Sequence, residues 1–281
     1  MKIAVINLIL LFQLIVCGLT FAAPEEEFSV NGNIAQTKPT LLESPFLQAE
    51  YLFHSGDFLA AKPLYHNYLS QNPSGKRSHQ ALFRLGSIDQ SIKSYSTAAR
   101  FYQIFLQRFP RSMLADSVRF GLAVCHYELA DYNSAESNFK MVLRLSSDKK
   151  IKWKIMIYLA QIDGGRMNYE KAFTKLKQAY DQIENKEIRN QAVVVTEKLI
   201  NEKLGENQVS ALIQKLGNGF PVDLLLLRKI SFHRAEGDIT NYMASLEKFI
   251  GFFPNHSRKA EVKSRLNQIK ADSGAKIKIG V

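Results

Sequence analysis

Four alanines recur at one interval: Ala61, Ala98, Ala135 and Ala172 stand 37 residues apart. The same interval separates the aromatics Phe58, Tyr95, Tyr132 and Tyr169, and the small residues Ala49, Gly86, Ala123 and Ala160. Tyr65, Tyr102, Phe139 and Leu176 form a fourth column, and Leu69, Leu106, Leu143 and Tyr180 a fifth. Columns that hold one register over four units without a gap define a repeat, and a repeat of this length leaves few architectures open.

Each unit reads as two helices joined by a tight reversal. The stretches "HSGDF", "IKSY", "LADY" and "GRMNY" mark the reversals, with glycine or a small polar residue where the chain turns back. The small residue of the first helix and the alanine of the second are expected where two helix backbones approach, and the aromatics fill the gaps beside them. Within one second helix, Ala98, Tyr102 and Phe105 fall at three- to four-residue spacing, which makes an apolar stripe. A single hairpin cannot cover that stripe, so the next hairpin must, and the result is a helical solenoid. Only 8 prolines and 15 glycines in 281 residues favour helices as well.

The register spans residues 44–181, and then it fails. Pro73 and Pro110 close the first two units, but Ser147 and Glu184 stand at the next two closures. Residues 182–271 are predicted to form two further, degenerate helical hairpins, within 186–217 and 222–254, plus a final helix. Residues 272–281 read as a tail or as the first strand of a further domain, because Ile277, Ile279 and Val281 alternate with Lys278 and Gly280.

The first 22 residues have the plan of an export signal: Lys2, an apolar run from Ile3, small residues, then the acidic "PEEE". Cleavage after Ala22 puts Thr20 at the third position back; cleavage after Ala23 would put bulky Phe21 there. A retained membrane anchor and lipidation at Cys17 are alternatives, weakened by Asn7 and Gln13 in the run and by Val16 before the cysteine. Residues 23–43 then serve as a flexible linker. Once Cys17 leaves, Cys125 has no partner for an intramolecular disulfide and reads as a small buried apolar residue.

The net charge of +11 has a dense C-terminal share: seven Lys and Arg from Arg258 to Lys278 against Glu261 and Asp272. In the cytosol such a balance would point to nucleic acid. Export directs it to anionic envelope material or an acidic protein, and no nucleic-acid partner is expected; a solvated helix face explains it equally well.

The stretches "ALFRLGSIDQSIKSYSTAARFYQIFLQRFP" and "VRFGLAVCHYELADYNSAESNFKMVL" resemble tetratricopeptide repeats. Gly86, Tyr95, Ala98, Tyr102 and Pro110 occupy the family's small residue, aromatic after the turn, alanine, mid-helix aromatic and closing proline. The family's usual period is about 34, so this chain adds residues at the joint. "QRFPRSMLADSVRFGLA" is similar to the periplasmic group that includes BamD and YbgF/CpoB. "KIKIGV" resembles the opening strand of the domain that follows the helical arm in LpoA-type penicillin-binding protein activators. The resemblance implies an all-α, right-handed superhelical solenoid of about six antiparallel hairpins. It also implies an exported, periplasmic, non-enzymatic scaffold, or alternatively the helical arm of such an activator or solute-binding protein.

No motif for catalysis, phosphate or metal binding is present, and His54, His66, His79, His126, His233 and His256 are scattered without ligand spacing. No cofactor or metal is expected. In such solenoids the first helices line a concave groove. Phe46, Phe53, Phe83, Phe120 and Tyr127, with Glu50, Gln90 and Glu128 among them, are therefore expected to face a partner protein or peptide there. The plain alternative is that several of these aromatics pack between hairpins.

Overall fold

The structure is a computed structural model that describes residues 44–182 and 184–279, with side chains to residue 272. The expected signal at 1–22 with Cys17, and the expected linker at 23–43, lie outside the described residues. Thirteen helices are formed among them, with no strand: α1 Pro45–His54, α2 Phe58–Gln71, α3 Ser78–Ser91, α4 Tyr95–Arg108, α5 Ala115–Glu128, α6 Tyr132–Leu145, α7 Lys149–Gly165, α8 Tyr169–Gln182, α9 Lys186–Lys203, α10 Glu206–Leu216, α11 Val222–Glu236, α12 Ile239–Phe252 and α13 Lys259–Ile279. They form two compact units, α1–α6 and α7–α13, which divide between Ser147 and Asp148. The division falls one hairpin before the register is lost, at the first closure without a proline.

In the first unit each helix packs on the next, and α3 also packs on α5. Ala49, Ala61, Ala98, Ala123 and Ala135 are wholly buried. The small residue at Gly86 has a different partner from the one expected. A Cβ there would lie 2.3 Å from Cε1 of Tyr102, not against backbone, and a Cβ at Gly121 would lie 2.8 Å from the opposite edge of the same ring. Tyr102 of α4 is thus wedged between glycines of α3 and α5, and its hydroxyl donates to Gln90 Oε1 at 2.9 Å. Tyr102 is fully buried and cannot swing away.

The reversals share one backbone solution. Gly56, Lys93, Ala130 and Met167, again 37 apart, all have positive φ, between 60° and 81°. At each, the next residue's N–H reaches back five residues: Asp57 to Leu52, Ser94 to Asp89, Asp131 to His126 and Asn168 to Asp163, at 2.7–2.9 Å. This is the hydrogen-bond pattern that closes a helix through a left-handed residue. Asp57 and Asp131 then cap the following helix by accepting from Ala60 and Ser134 N–H. Only one of the four left-handed residues is glycine, the residue that adopts this conformation without strain.

In the second unit α7 pairs with α8, α9 packs on α7, α8 and α11, and the chain continues α10–α11–α12–α13 in contact order. Gly237 (φ 72°) repeats the reversal between α11 and α12, with Asp238 capping at Asn241. The hairpin expected over 186–217 is not formed in that way. Leu204 and Gly205 are extended, so no left-handed residue turns α10 back along α9, and α10 lies on α11 instead. The tail or first strand expected at 272–281 is also corrected: residues 272–279 continue α13 as helix, and 280–281 lie outside the described residues. Val262 and Leu266 anchor its buried face, and with no strand among the described residues to pair with, the helix satisfies the backbone locally.

Two outcomes test this packing. Gly86→Ala is expected to lower Tm by several degrees, in line with roughly 1–3 kcal/mol of overpacking. Adding Tyr102→Leu, which removes the ring, should make the alanine tolerable in that background, and a thermal melt of the four proteins reads this directly. Ala130→Gly, at an exposed left-handed position, is expected to raise stability by about 1 kcal/mol in urea unfolding; no gain would mean that the turn carries no strain.

Candidate interaction surfaces

The expected groove residues divide into a buried set and a half-exposed set. Phe46, Phe83 and Phe120 are 1%, 2% and 4% exposed, so they are not groove-lining side chains. They form a register column of their own, 37 apart, and each meets the second-helix aromatic 19 residues on. The ring centroids are 5.9 Å apart for Phe46–Tyr65, 6.4 Å for Phe83–Tyr102 and 6.0 Å for Phe120–Phe139. Burying such a side chain stabilises by about 1.5–3 kcal/mol, more than an exposed groove contact would return to the free protein. These aromatics join the two helices of each hairpin.

Glu50 is buried as well. Its carboxylate accepts Arg84 Nε and Nη2 at 3.0 and 3.1 Å, and the Tyr65 hydroxyl also donates to it. His54 stands 3.6 Å away at the surface. The Arg84 guanidinium lies 4.4 Å over the Phe53 ring, so the pair links α1, α2 and α3. Burial by itself pushes the Glu50 carboxyl up, but bonds from His54, Arg84 and Tyr65 outweigh burial and hold it below the ordinary value of 4.5. A second buried carboxylate, Asp89, is held by the Lys62 amino group.

Phe53, Gln90 and Tyr127 remain half-buried, and Glu128 is exposed. The first three occupy one register position near the C-terminal ends of α1, α3 and α5. Tyr127 leans on Tyr132 at 5.6 Å, as Phe53 leans on Phe58 at 5.4 Å. Burial raises the Glu128 carboxyl above its usual value, opposed by Lys93. This short row, not the phenylalanine column, is partly accessible at the C-terminal ends of these helices, next to the exposed His54, Ser91 and Glu128.

The second unit carries a cleft of about 600 Å³ that the sequence reading missed. Arg228 and Arg234 of α11, Arg258 before α13 and Arg265 on α13 line it, above a floor that includes Ile200, Leu224 and Val262. The loss of register after 181 hid it. The available signal was Arg258 and Arg265, seven apart and therefore on one helix face.

Sequence scanning also missed a polar cluster around buried His233. Ser245 Oγ lies 3.0 Å from Nδ1 and Glu206 Oε1 2.9 Å from Nε2. The order resembles a nucleophile, base and orienting carboxylate. Yet His233 and Ser245 are 5% and 6% exposed, and the neighbouring cleft touches His233 but not Ser245. The cluster ties α10, α11 and α12 together and gives a carbonyl no approach to the hydroxyl. Among the described residues no group of three metal-ligating side chains forms, and no helix is long and apolar enough to cross a membrane.

Residues 80–112 match the family model of the tetratricopeptide repeat. The match covers most of α3, the left-handed turn at Lys93 and α4, and so falls on the hairpin that carries the Tyr102 wedge. No curated protein matches the sequence. Among solved structures the chain is similar to a tetratricopeptide repeat protein from Parabacteroides merdae, at 13% identity over 81% of this chain and 86% of that one, with a TM-score of 0.48. A TPR repeats protein from Bacteroides fragilis gives 17% identity over 84% and 99%, with a TM-score of 0.37. The TPR2AB domain of yeast Sti1, solved as a pHSP90 complex, gives 13% identity over 80% and 97%, with a TM-score of 0.35.

The Glu50–Arg84 pair sets a pH dependence. A carboxyl lowered in the fold adds stability that is present above its unfolded value and lost as pH falls through the folded one. Unfolding free energy is thus expected to fall as pH drops below 4.5, and Glu50→Gln should flatten that slope. At pH 7 Glu50→Gln should cost about 3–5 kcal/mol, because Arg84 keeps a buried, uncompensated charge. Glu50→Leu with Arg84→Met should recover most of the loss. An unchanged acid limb in Glu50→Gln would remove Glu50 from this role.

Proposed function

We propose that this chain is an exported, non-enzymatic helical-repeat scaffold that holds another protein in the cell envelope, in outer-membrane assembly or peptidoglycan synthesis. The observation that carries the reading is the row of Phe53, Gln90 and Tyr127. α3 and α5 bury every apolar side chain they carry except Tyr127, α1 also leaves Leu47, Tyr51 and Leu52 half-buried, and the position of Phe53, Gln90 and Tyr127 is partly open on each of three successive hairpins. Repeated, half-exposed aromatic and amide groups on a rigid stack suit the capture of an extended peptide or a helix. The matched repeat at 80–112 supports protein binding as the mode of action.

The envelope setting is supported by the signal-like plan of residues 1–22 and by the resemblance of "QRFPRSMLADSVRFGLA" to periplasmic repeats of the BamD and CpoB group. The basic residues from Arg258 onward would favour an anionic envelope surface. The activator-arm alternative rested on a terminal strand; the helix that runs to Ile279 withdraws that support.

Residues 1–43 fused to a phosphatase that is active only outside the cytosol should give an active reporter, and an inactive fusion would sink the envelope assignment. A photo-crosslinking residue at Gln90 or Tyr127 should trap a discrete partner in intact cells. The same group at exposed Lys140 on α6 should not. Equal labelling from all three positions would move the interface off the row.

A further inference from the structure

The cleft of the second unit carries charge that the fold does not use. Glu261 accepts from Arg258 at 3.0 Å and from Arg265 at 2.6 Å, so these two arginines are matched within the cleft wall. Arg228 and Arg234 are not. Neither forms an ion pair among the described residues. The Arg228 guanidinium lies 4.4 Å over the Phe232 ring and donates through Nη2 to Asn201 O at 3.4 Å, while its buried Nε has no acceptor. A guanidinium stacked on a ring is held in one plane before any ligand arrives, which preorganises its remaining N–H groups for a carboxylate.

The shape of the site narrows the ligand. Between and below the arginines the floor is apolar, built from Ile200, Leu224, Leu227, Ile230 and Val262. Glu197 and Glu261 stand in the same lining, so a continuous polyphosphate or a dense anionic surface would meet like charge at two points. Isolated carboxylates separated by apolar side chains avoid both glutamates, and the apolar groups between them can occupy the floor. A volume near 600 Å³ accepts a few side chains and excludes a nucleic-acid duplex.

We propose that this cleft binds an acidic segment of a partner protein in which carboxylates alternate with apolar side chains, the carboxylates meeting Arg228 and Arg234 and the apolar groups resting on the floor between α9, α11 and α13. This site lies in a different unit from the Phe53–Gln90–Tyr127 row and stands whether or not that row is an interface.

The test uses the purified protein and a fluorescent, end-blocked peptide of Glu-Leu repeats, with its Gln-Leu counterpart, read by anisotropy. The glutamate peptide is expected to bind at least about tenfold tighter than the glutamine peptide and to weaken with added salt. Arg234→Glu, an exposed substitution, should lower that affinity by about tenfold with an unchanged melting curve, and Arg228→Gln should act in the same direction. Tyr127→Ala, in the other unit, should leave the peptide affinity unchanged. Equal affinity for the two peptides, no binding of either, or full binding by a folded Arg234→Glu protein overturns the proposal. So does displacement of the peptide by heparin or by phosphatidylglycerol vesicles through the same arginine, which would make the site a general anion surface.

Discussion

A single ring holds the middle of the first unit together. Tyr102 reaches from α4 between Gly86 of α3 and Gly121 of α5, closer to both than a methyl group would permit. Two successive first helices can therefore approach only because each lacks a side chain at one point, and the second helix between them supplies the filling. The other hairpins use the same idea in milder form. Phe46 with Tyr65 and Phe120 with Phe139 meet at centroid distances close to that of Phe83 with Tyr102, so one aromatic pair per hairpin sets the distance between its helices. The repeat is in this sense a repeat of a contact, and the alanines beside it are small because the rings occupy the space.

The reversals show a constraint of another kind. Gly56, Lys93, Ala130 and Met167 share a left-handed backbone and one set of hydrogen bonds, although their side chains have nothing in common. A left-handed conformation disfavours a residue with a Cβ by roughly 1–2 kcal/mol. It persists at three non-glycine positions because stacked hairpins on either side fix the direction in which the next helix must leave. Tertiary packing overrides local preference here, and where no such turn is made, between Leu204 and Gly205, the following helix leaves its predecessor for another neighbour.

The fold was legible in the sequence wherever packing repeats. The columns from Ala49 to Ala172 and from Phe58 to Tyr169 located eight helices and four reversals, because a side chain that must fit the same gap in every unit leaves a periodic trace. The candidate site was far less legible. Periodicity shows that Phe46, Phe83 and Phe120 are constrained but not from which side, and a residue buried against a ring leaves the same trace as one that lines a groove. Glu50 carried no warning of Arg84, since a buried ion pair 34 residues apart appears in one unit only; the equivalents of Glu50 are Ser87 and Val124. The strand reading of Ile277 and Ile279 failed because a two-residue alternation says nothing about a missing partner strand, whereas a helix already anchored at Val262 and Leu266 needs none.

These cases divide the surface of a repeat protein in a consistent way. The small-residue, alanine and mid-helix aromatic columns are occupied by internal contacts, and each hairpin must reproduce them to stack. What distinguishes one scaffold from another must then sit at positions that are free to vary, either a register position left partly open, as at Gln90 and Tyr127, or the region where register is lost. The second unit offers the latter. There α9 and α10 no longer form a regular hairpin, and a cleft opens between α9, α11 and α13 that four arginines line. A regular stack would have filled that space with a ring and an alanine. In that cleft Arg228 is stacked on Phe232 with a buried Nε that has no acceptor, and Arg234 is exposed beside it.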